Sequence, residues 1–199
     1  DGLTDYEIKR ANMLSELGYT VFAADLFGAG VRPTKVTDKR QHTGELYKNR
    51  EKMRALINGA ISEAKARGAN VKNAVAVGYC FGGATVMQMA YAGLDVDAVA
   101  SFHGSLPTPA RDAPTDIKAR ILVAHGNADP FVPAEKVDAF RQALEAAAAD
   151  WTMIEFGGVK HSFTNPSAGD YGIEALAYDQ QADRQSWQML LWTLEDTFR

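Results

Sequence analysis

Short runs rich in apolar residues recur along this chain, separated by longer segments in which apolar positions return every three or four residues. That alternation predicts strands divided by helices. Five runs carry the strand pattern, at residues 20–24, 74–78, 98–102, 120–124 and 151–156, and they read as strands buried mostly on both faces. Strands alternating with helices predict an α/β fold with a mostly parallel sheet covered by helices on both faces. In such sheets, sites lie beyond the carboxyl ends of the strands.

The helical segments carry their own start and stop signals. Thr4 followed by Glu7 is a capping-box pattern, and Tyr6, Met13, Leu14 and Leu17 give one apolar face ending at Gly18. A second helix is expected from about residue 45 to residue 67 with Gly68 as its stop, a third over 82–92 stopping at Gly93, and another opened by Pro133. The last helix places Trp187, Leu190, Leu191, Leu194 and Phe198 on one stripe. Two connections are longer than crossovers require: residues 25–43, with Gly28, Gly30 and Pro33, and residues 103–119, with Pro107, Pro109 and Pro114. Long loops on the site edge commonly shape a pocket.

Composition narrows the function classes. A chain of 199 residues, 46% hydrophobic, suits a single domain over 1–199 with a sizeable core. The 21 basic and 25 acidic residues form no block of like charge, which argues against a nucleic-acid partner. No apolar run approaches the roughly 20 residues of a membrane helix, and no basic stretch leads into an apolar one at the N-terminus. A soluble, cytoplasmic protein is expected. The single cysteine, Cys80, forms no intrachain disulfide, and with four histidines it lacks zinc-site spacing, so no metal is expected. A buried small hydrophobe or a nucleophile remains.

The surroundings of Cys80 decide between these. Gly78-Tyr79-Cys80-Phe81-Gly82-Gly83 follows a strand and precedes an apolar helix, which is the nucleophile-elbow pattern with cysteine in the nucleophile's place. Glycines at 78 and 82 are expected to relieve crowding at this sharp turn. At a helix N-terminus the dipole and free amides stabilise a thiolate, and the Phe81 N–H points toward a developing oxyanion. Asp129 lies in the loop after the strand that ends near His125-Gly126, and His161 lies in the loop after the last strand. Nucleophile, acid, histidine is the chain order of this fold's triad. His125, His103 and His42 are rivals for the base, and Asp25, which precedes the nucleophile, is expected to be a loop cap or pocket-shaping residue. Phe27, Tyr79, Phe81, Phe102, Phe131, Phe163 and Tyr171 could line an apolar pocket or simply pack in the core.

With these elements in place the chain resembles the dienelactone hydrolase family of α/β-hydrolases, whose members use a Cys-Asp-His triad. The matching segments are Ala24-Asp25-Leu26-Phe27-Gly28, the cysteine elbow, Phe102-His103-Gly104, His125-Gly126 with Asp129-Pro130, and His161-Ser162-Phe163-Thr164-Asn165-Pro166. The resemblance implies that opening strands, a second oxyanion amide and a glutamate pairing with the resting cysteine belong upstream of Asp1. It also implies that Asn165 stands where the archetype has an arginine holding a substrate carboxylate.

The expected function is therefore hydrolysis of a lactone or small ester by Cys80, Asp129 and His161 through a thioester, with Phe81 and Ser162 meeting the substrate and no cofactor. A thioesterase or general carboxylesterase with the same triad is the alternative within enzymes, and a non-catalytic α/β-hydrolase scaffold the alternative outside them.

Overall fold

The computed structural model describes residues 2–109 and 116–199. Pro114, noted above in the second long connection, lies outside the described residues. The chain divides into two compact units, Asp1–Val71 and Lys72–Arg199.

The first unit is helical. Helix α1, Asp5–Glu16, begins at the predicted capping box: the Thr4 side chain and the Glu7 side chain each satisfy the other's backbone amide. Its buried positions are Arg10 and Leu14, with the Arg10 guanidinium over the Tyr6 ring, whereas Leu17 is exposed. Two helices stand where one was expected. Helix α2, Val36–Lys48, starts well before residue 45, and α3, Arg50–Ala66, follows after a break at Asn49. Asn49 leaves helical geometry and its side chain accepts the Lys52 N–H, which starts a new helix. The first long connection is correspondingly shorter, and His42 lies on α2 rather than in a loop.

Residues 20–24 correct the strand expectation. They run without regular secondary structure, with Val21 and Phe22 exposed, because no described strand forms a ladder with them. Just beyond, Asp25 takes the capping role expected of it. Its carboxylate accepts the Phe27 and Gly28 amides and pairs with Arg32 at 2.8 Å.

The second unit holds a four-stranded parallel sheet flanked by helices: β1 (Val75–Tyr79), β2 (Ala98–Phe102), β3 (Arg120–Gly126) and β4 (Trp151–Phe156), in that spatial order. Tyr79 is in register with Phe102, Phe102 with Ala124, and Gly126 with Phe156. The central strands β2 and β3 are buried almost throughout, as their apolar runs predict. The outer strands β1 and β4 are only half-buried, contrary to expectation, because each has a strand neighbour on one side only among the described residues.

Helix α4 (Phe81–Tyr91) packs on β1 and β2 and is buried from Gly83 to Tyr91. Helix α5 (Ala134–Ala146) starts after Pro133 and buries Val137, Phe140 and Leu144. Helix α6 (Gln180–Thr197) packs on β2 and β3 through a stripe that includes Leu190 and Leu194 but also the small polar Ser186 and Thr193.

Candidate active site

The turn from β1 into α4 passes directly from strand to helix through Cys80, and its sequence explains why it forms. Cys80 adopts φ 54° and ψ −114°, a conformation that L-residues rarely take. Such strain costs on the order of 1–3 kcal/mol and persists only where surrounding contacts over-determine it. Here the Cys80 N–H donates to Phe102 O at 3.0 Å and to His103 Nδ1 at 3.2 Å, while Cys80 O accepts from Gly83 N. Gly78 is required by space. A Cβ there would stand 2.0 Å from the Gly82 carbonyl oxygen. Gly82 itself differs from expectation: a Cβ on it would meet nothing within 4 Å among the described residues. The crowded partner is Gly83, where a Cβ would fall 2.6 Å from Ser101 Oγ and 3.0 Å from Gly104 Cα, so the start of α4 presses onto the end of β2.

His161 arrives from the loop after β4. Gly126 lets that loop approach the end of β3, since a Cβ on it would lie 2.5 Å from Val159 O. The loop is then held from the other side: His161 N donates to Ala175 O, and Ala177 N donates to His161 O. Asp129 lies in the turn after β3 and is buried, with one carboxylate oxygen accepting the Phe131 N–H at 2.9 Å.

These three loops bring the sequence-predicted residues together. His161 Nε2 stands 3.1 Å from Cys80 Sγ, and His161 Nδ1 stands 2.6 Å from the second oxygen of Asp129. Phe81 is the first residue of α4 and its amide is directed at the Cys80 sulfur. Ser162 follows His161 at φ 60° and its carbonyl accepts the Asn165 N–H, while Asn165 Oδ1 accepts the Ser167 N–H.

The electrostatics follow from this contact. Crowding by protein atoms pushes the Cys80 thiol up, although the residue keeps an exposed face, and the hydrogen bond and charge of His161 outweigh it, so its pKa is lowered. Burial pushes His161 down, but its hydrogen bonds to Asp129 and Cys80 raise it to about 10. Opposite shifts in a touching pair favour thiolate and imidazolium over the neutral forms.

The rival histidines are elsewhere or otherwise engaged. His42 lies in tilted ring contact with Phe27 in the first unit. His125 is buried within β3, and burial lowers its pKa against the opposing pull of Asp129. His103 contacts the Cys80 amide rather than the thiol, and its Nε2 stands 2.7 Å from Thr164 Oγ1. Sequence reasoning noted His103 as a rival base and placed it and Thr164 in segments that match the family, but did not pair the two. Of the aromatic residues, Phe102 and Phe163 are core, whereas Phe131 is exposed and meets the His161 ring edge-on at 5.2 Å. No group of described residues is arranged to hold a metal ion.

Comparison with known proteins bears on the family and the fold. The protein K02A2.1 of Caenorhabditis elegans is 36% identical over 126 residues, covering 62% of this chain and 79% of its own. A Yersinia pestis protein named "Putative carboxymethylenebutenolidase" is 24% identical over 188 residues, covering 89% of this chain and 68% of its own. The crystal structure of the dienelactone hydrolase-like promiscuous phosphotriesterase P91, from metagenomic libraries, superposes with a TM-score of 0.93 at 31% identity, covering 98% of this chain and 82% of that one. The fold is thus that of the dienelactone hydrolase-like α/β-hydrolases. The model of the dienelactone hydrolase family matches residues 2–198, and the chain belongs to that family.

Proposed function

We propose that this protein hydrolyses small carboxylic esters or lactones through a Cys80–His161–Asp129 triad and a thioester intermediate. The observation that carries the reading is the unbroken contact from Cys80 Sγ to His161 Nε2 and from His161 Nδ1 to Asp129. Family membership and a relative named for carboxymethylenebutenolidase activity support the ester or lactone class. The family match crosses both compact units, which supports reading residues 1–199 as one hydrolase domain.

In the mechanism, the Cys80 thiolate attacks the carbonyl carbon, and the charge moves to the carbonyl oxygen, where the Phe81 N–H at the start of α4 stabilises it. As the oxyanion collapses, the carbon–oxygen bond of the ester breaks and the His161 imidazolium gives its proton to the departing alkoxide. Acylation removes the thiolate that helped raise the His161 pKa, so the imidazole now remains neutral and can take a proton from water. Hydroxide adds to the thioester, the thiolate leaves, and the resting ion pair is restored. Phe131, exposed beside His161, provides an apolar wall for the substrate, and Ser162, next to His161 in the chain, is the proposed polar contact. A thiolate nucleophile suits a reducing compartment, in keeping with the cytoplasm. Among the described residues no helix is long and apolar enough to cross a membrane.

The test is a panel of a five-membered enol lactone, an aryl ester, an acyl thioester and an aryl phosphotriester. The lactone or aryl ester should give the highest kcat/KM, and failure to turn over either would refute the assignment. A second reading, phosphotriester hydrolysis, is favoured by the 31% identity to P91, and it predicts measurable turnover of the phosphotriester on the same cysteine. Because Asn165 is neutral and its side chain is engaged with Ser167, a free carboxylate on the substrate should confer little advantage over its methyl ester.

The pH dependence follows from the two shifts. A lowered thiol pKa keeps Cys80 ionised below its ordinary value of 9.0, so alkylation by iodoacetamide should persist below pH 9.0 and fade as pH drops through the lowered value. A His161→Ala variant should move that midpoint upward. At the alkaline end kcat/KM should decline as His161 loses its proton near pH 10, since no acid then protonates the leaving group. An alkylation midpoint that His161→Ala leaves unchanged would contradict the ion pair.

A further inference from the structure

His103 is buried, touches the nucleophile without touching its sulfur, and has no part in the chemistry above. It sits one residue past the end of β2, beside Cys80, which sits one residue past the end of β1. Its Nδ1 accepts the Cys80 N–H, so the ring proton of the neutral imidazole is on Nε2, and Nε2–H donates to Thr164 Oγ1 at 2.7 Å. Thr164 belongs to the loop that carries His161. The same imidazole meets the His161 ring edge-on at 5.3 Å and the Phe163 ring edge-on at 5.1 Å.

Resting on the triad reading, we propose that His103 is a positioning residue: a clamp that runs from the Cys80 amide through its imidazole to the Thr164 hydroxyl and sets the distance between thiolate and base. Two features separate this from simple hydrogen-bond satisfaction. The Cys80 N–H already has an acceptor in Phe102 O at 3.0 Å, so a second acceptor adds direction rather than mere satisfaction. The clamp also joins two loops that are far apart in sequence, and unlike the edge-on contacts of His103 with His161 and Phe163 it fixes direction through a hydrogen bond at each end, so it supports the separation of the reacting atoms. Misplacement by about 1 Å can cost on the order of a hundredfold in rate, so such a support has a measurable effect.

The test compares His103→Phe, which keeps ring packing but removes both polar contacts, with Thr164→Val and Thr164→Ser in the full chain, using an aryl ester. His103→Phe and Thr164→Val should each lower kcat by about tenfold or more while KM stays within about twofold, since binding is not touched. Thr164→Ser, which keeps the hydroxyl, should restore most of kcat, and the double variant should be little worse than the poorer single one, because both break one clamp. Nitrogen NMR of the wild-type protein should show His103 as the Nε2–H tautomer. Position 103 has φ 40°, which phenylalanine tolerates poorly; if that variant does not fold, the Thr164 pair decides. Wild-type kcat in Thr164→Val, or equal loss in Thr164→Ser and Thr164→Val, overturns the clamp while an inactive Cys80→Ala leaves the triad standing. An active Cys80→Ala overturns the triad itself.

Discussion

Replacing Cys80 with alanine should abolish ester hydrolysis, with kcat falling by more than about 10⁴-fold. On the proposed mechanism the sulfur forms the covalent intermediate, and neither described partner in the triad is placed to replace it: His161 Nε2 faces the sulfur, and Asp129 is buried behind the imidazole with both oxygens engaged. Alanine preserves the backbone at the elbow, and because Cys80 is exposed its loss removes little core packing, so stability should change by less than about 1 kcal/mol. Serine is the sharper comparison. A hydroxyl does not ionise beside His161, so the resting ion pair vanishes and the histidine pKa falls from about 10 toward its ordinary value. Proton removal must then accompany attack, and Cys80→Ser should retain only a small fraction of activity. Mass spectrometry during turnover should detect an acyl adduct on the wild-type chain and none on the alanine variant. Undiminished turnover by Cys80→Ala would remove the basis for the mechanism.

Asp129→Asn should lower kcat by about 10² to 10⁴-fold, even though the side chain keeps its shape. The reason lies in its two partners. One carboxylate oxygen accepts the Phe131 N–H at 2.9 Å and the other faces His161 Nδ1 at 2.6 Å. Asparagine offers one acceptor and one amide, so whichever way it turns, its NH₂ opposes a donor. If the amide faces His161, the imidazole must expose a lone pair at Nδ1 and carry its proton on Nε2, the wrong form for a base directed at Cys80. If it faces Phe131, the tautomer survives but the part-buried Phe131 N–H loses its acceptor. Either way the carboxylate charge that supports the imidazolium is lost, and the alkaline limit of kcat/KM should move to lower pH. An Asp129→Asn variant with wild-type kcat and an unshifted alkaline limit would show that Asp129 does not support the base.

The grouping of Cys80, Asp129 and His161 was readable from sequence because each residue carries a local signature. Gly78 and Gly83 surround Cys80 for reasons of space, and those contacts lie within the turn or at the adjoining strand end. Asp129 and His161 follow strands whose apolar runs are buried or paired in the sheet. Features that depend on distant partners were not readable. Residues 20–24 have strand composition, but a strand exists only through ladder bonds, and composition does not say whether a neighbour is there to make them. Helix α2 has few apolar positions, with Leu46 its one buried residue, so its period is faint. The break at Asn49 comes from a residue that favours caps over helix interiors, but the bond that makes it a cap, to the Lys52 N–H, is not visible in composition. The contact of His103 with Thr164 joins residues 61 positions apart, and neither has a sequence neighbour that announces it.

The register of β1 against β2, with Tyr79 opposite Phe102, has a consequence for how this chain can change length. Cys80 and His103 are each one step beyond paired residues, so they stand side by side only while both strands keep their count. Adding or deleting one residue within β1 would move the nucleophile about 3.3 Å along the sheet and turn its side chain to the opposite face. The same change in the loop between α5 and β4 would leave all three reacting groups where they are. Insertions and deletions compatible with catalysis are therefore confined to the amino ends of the strands and the far ends of the helices. The short interval from each strand end to its functional residue is the part of the chain whose length cannot drift.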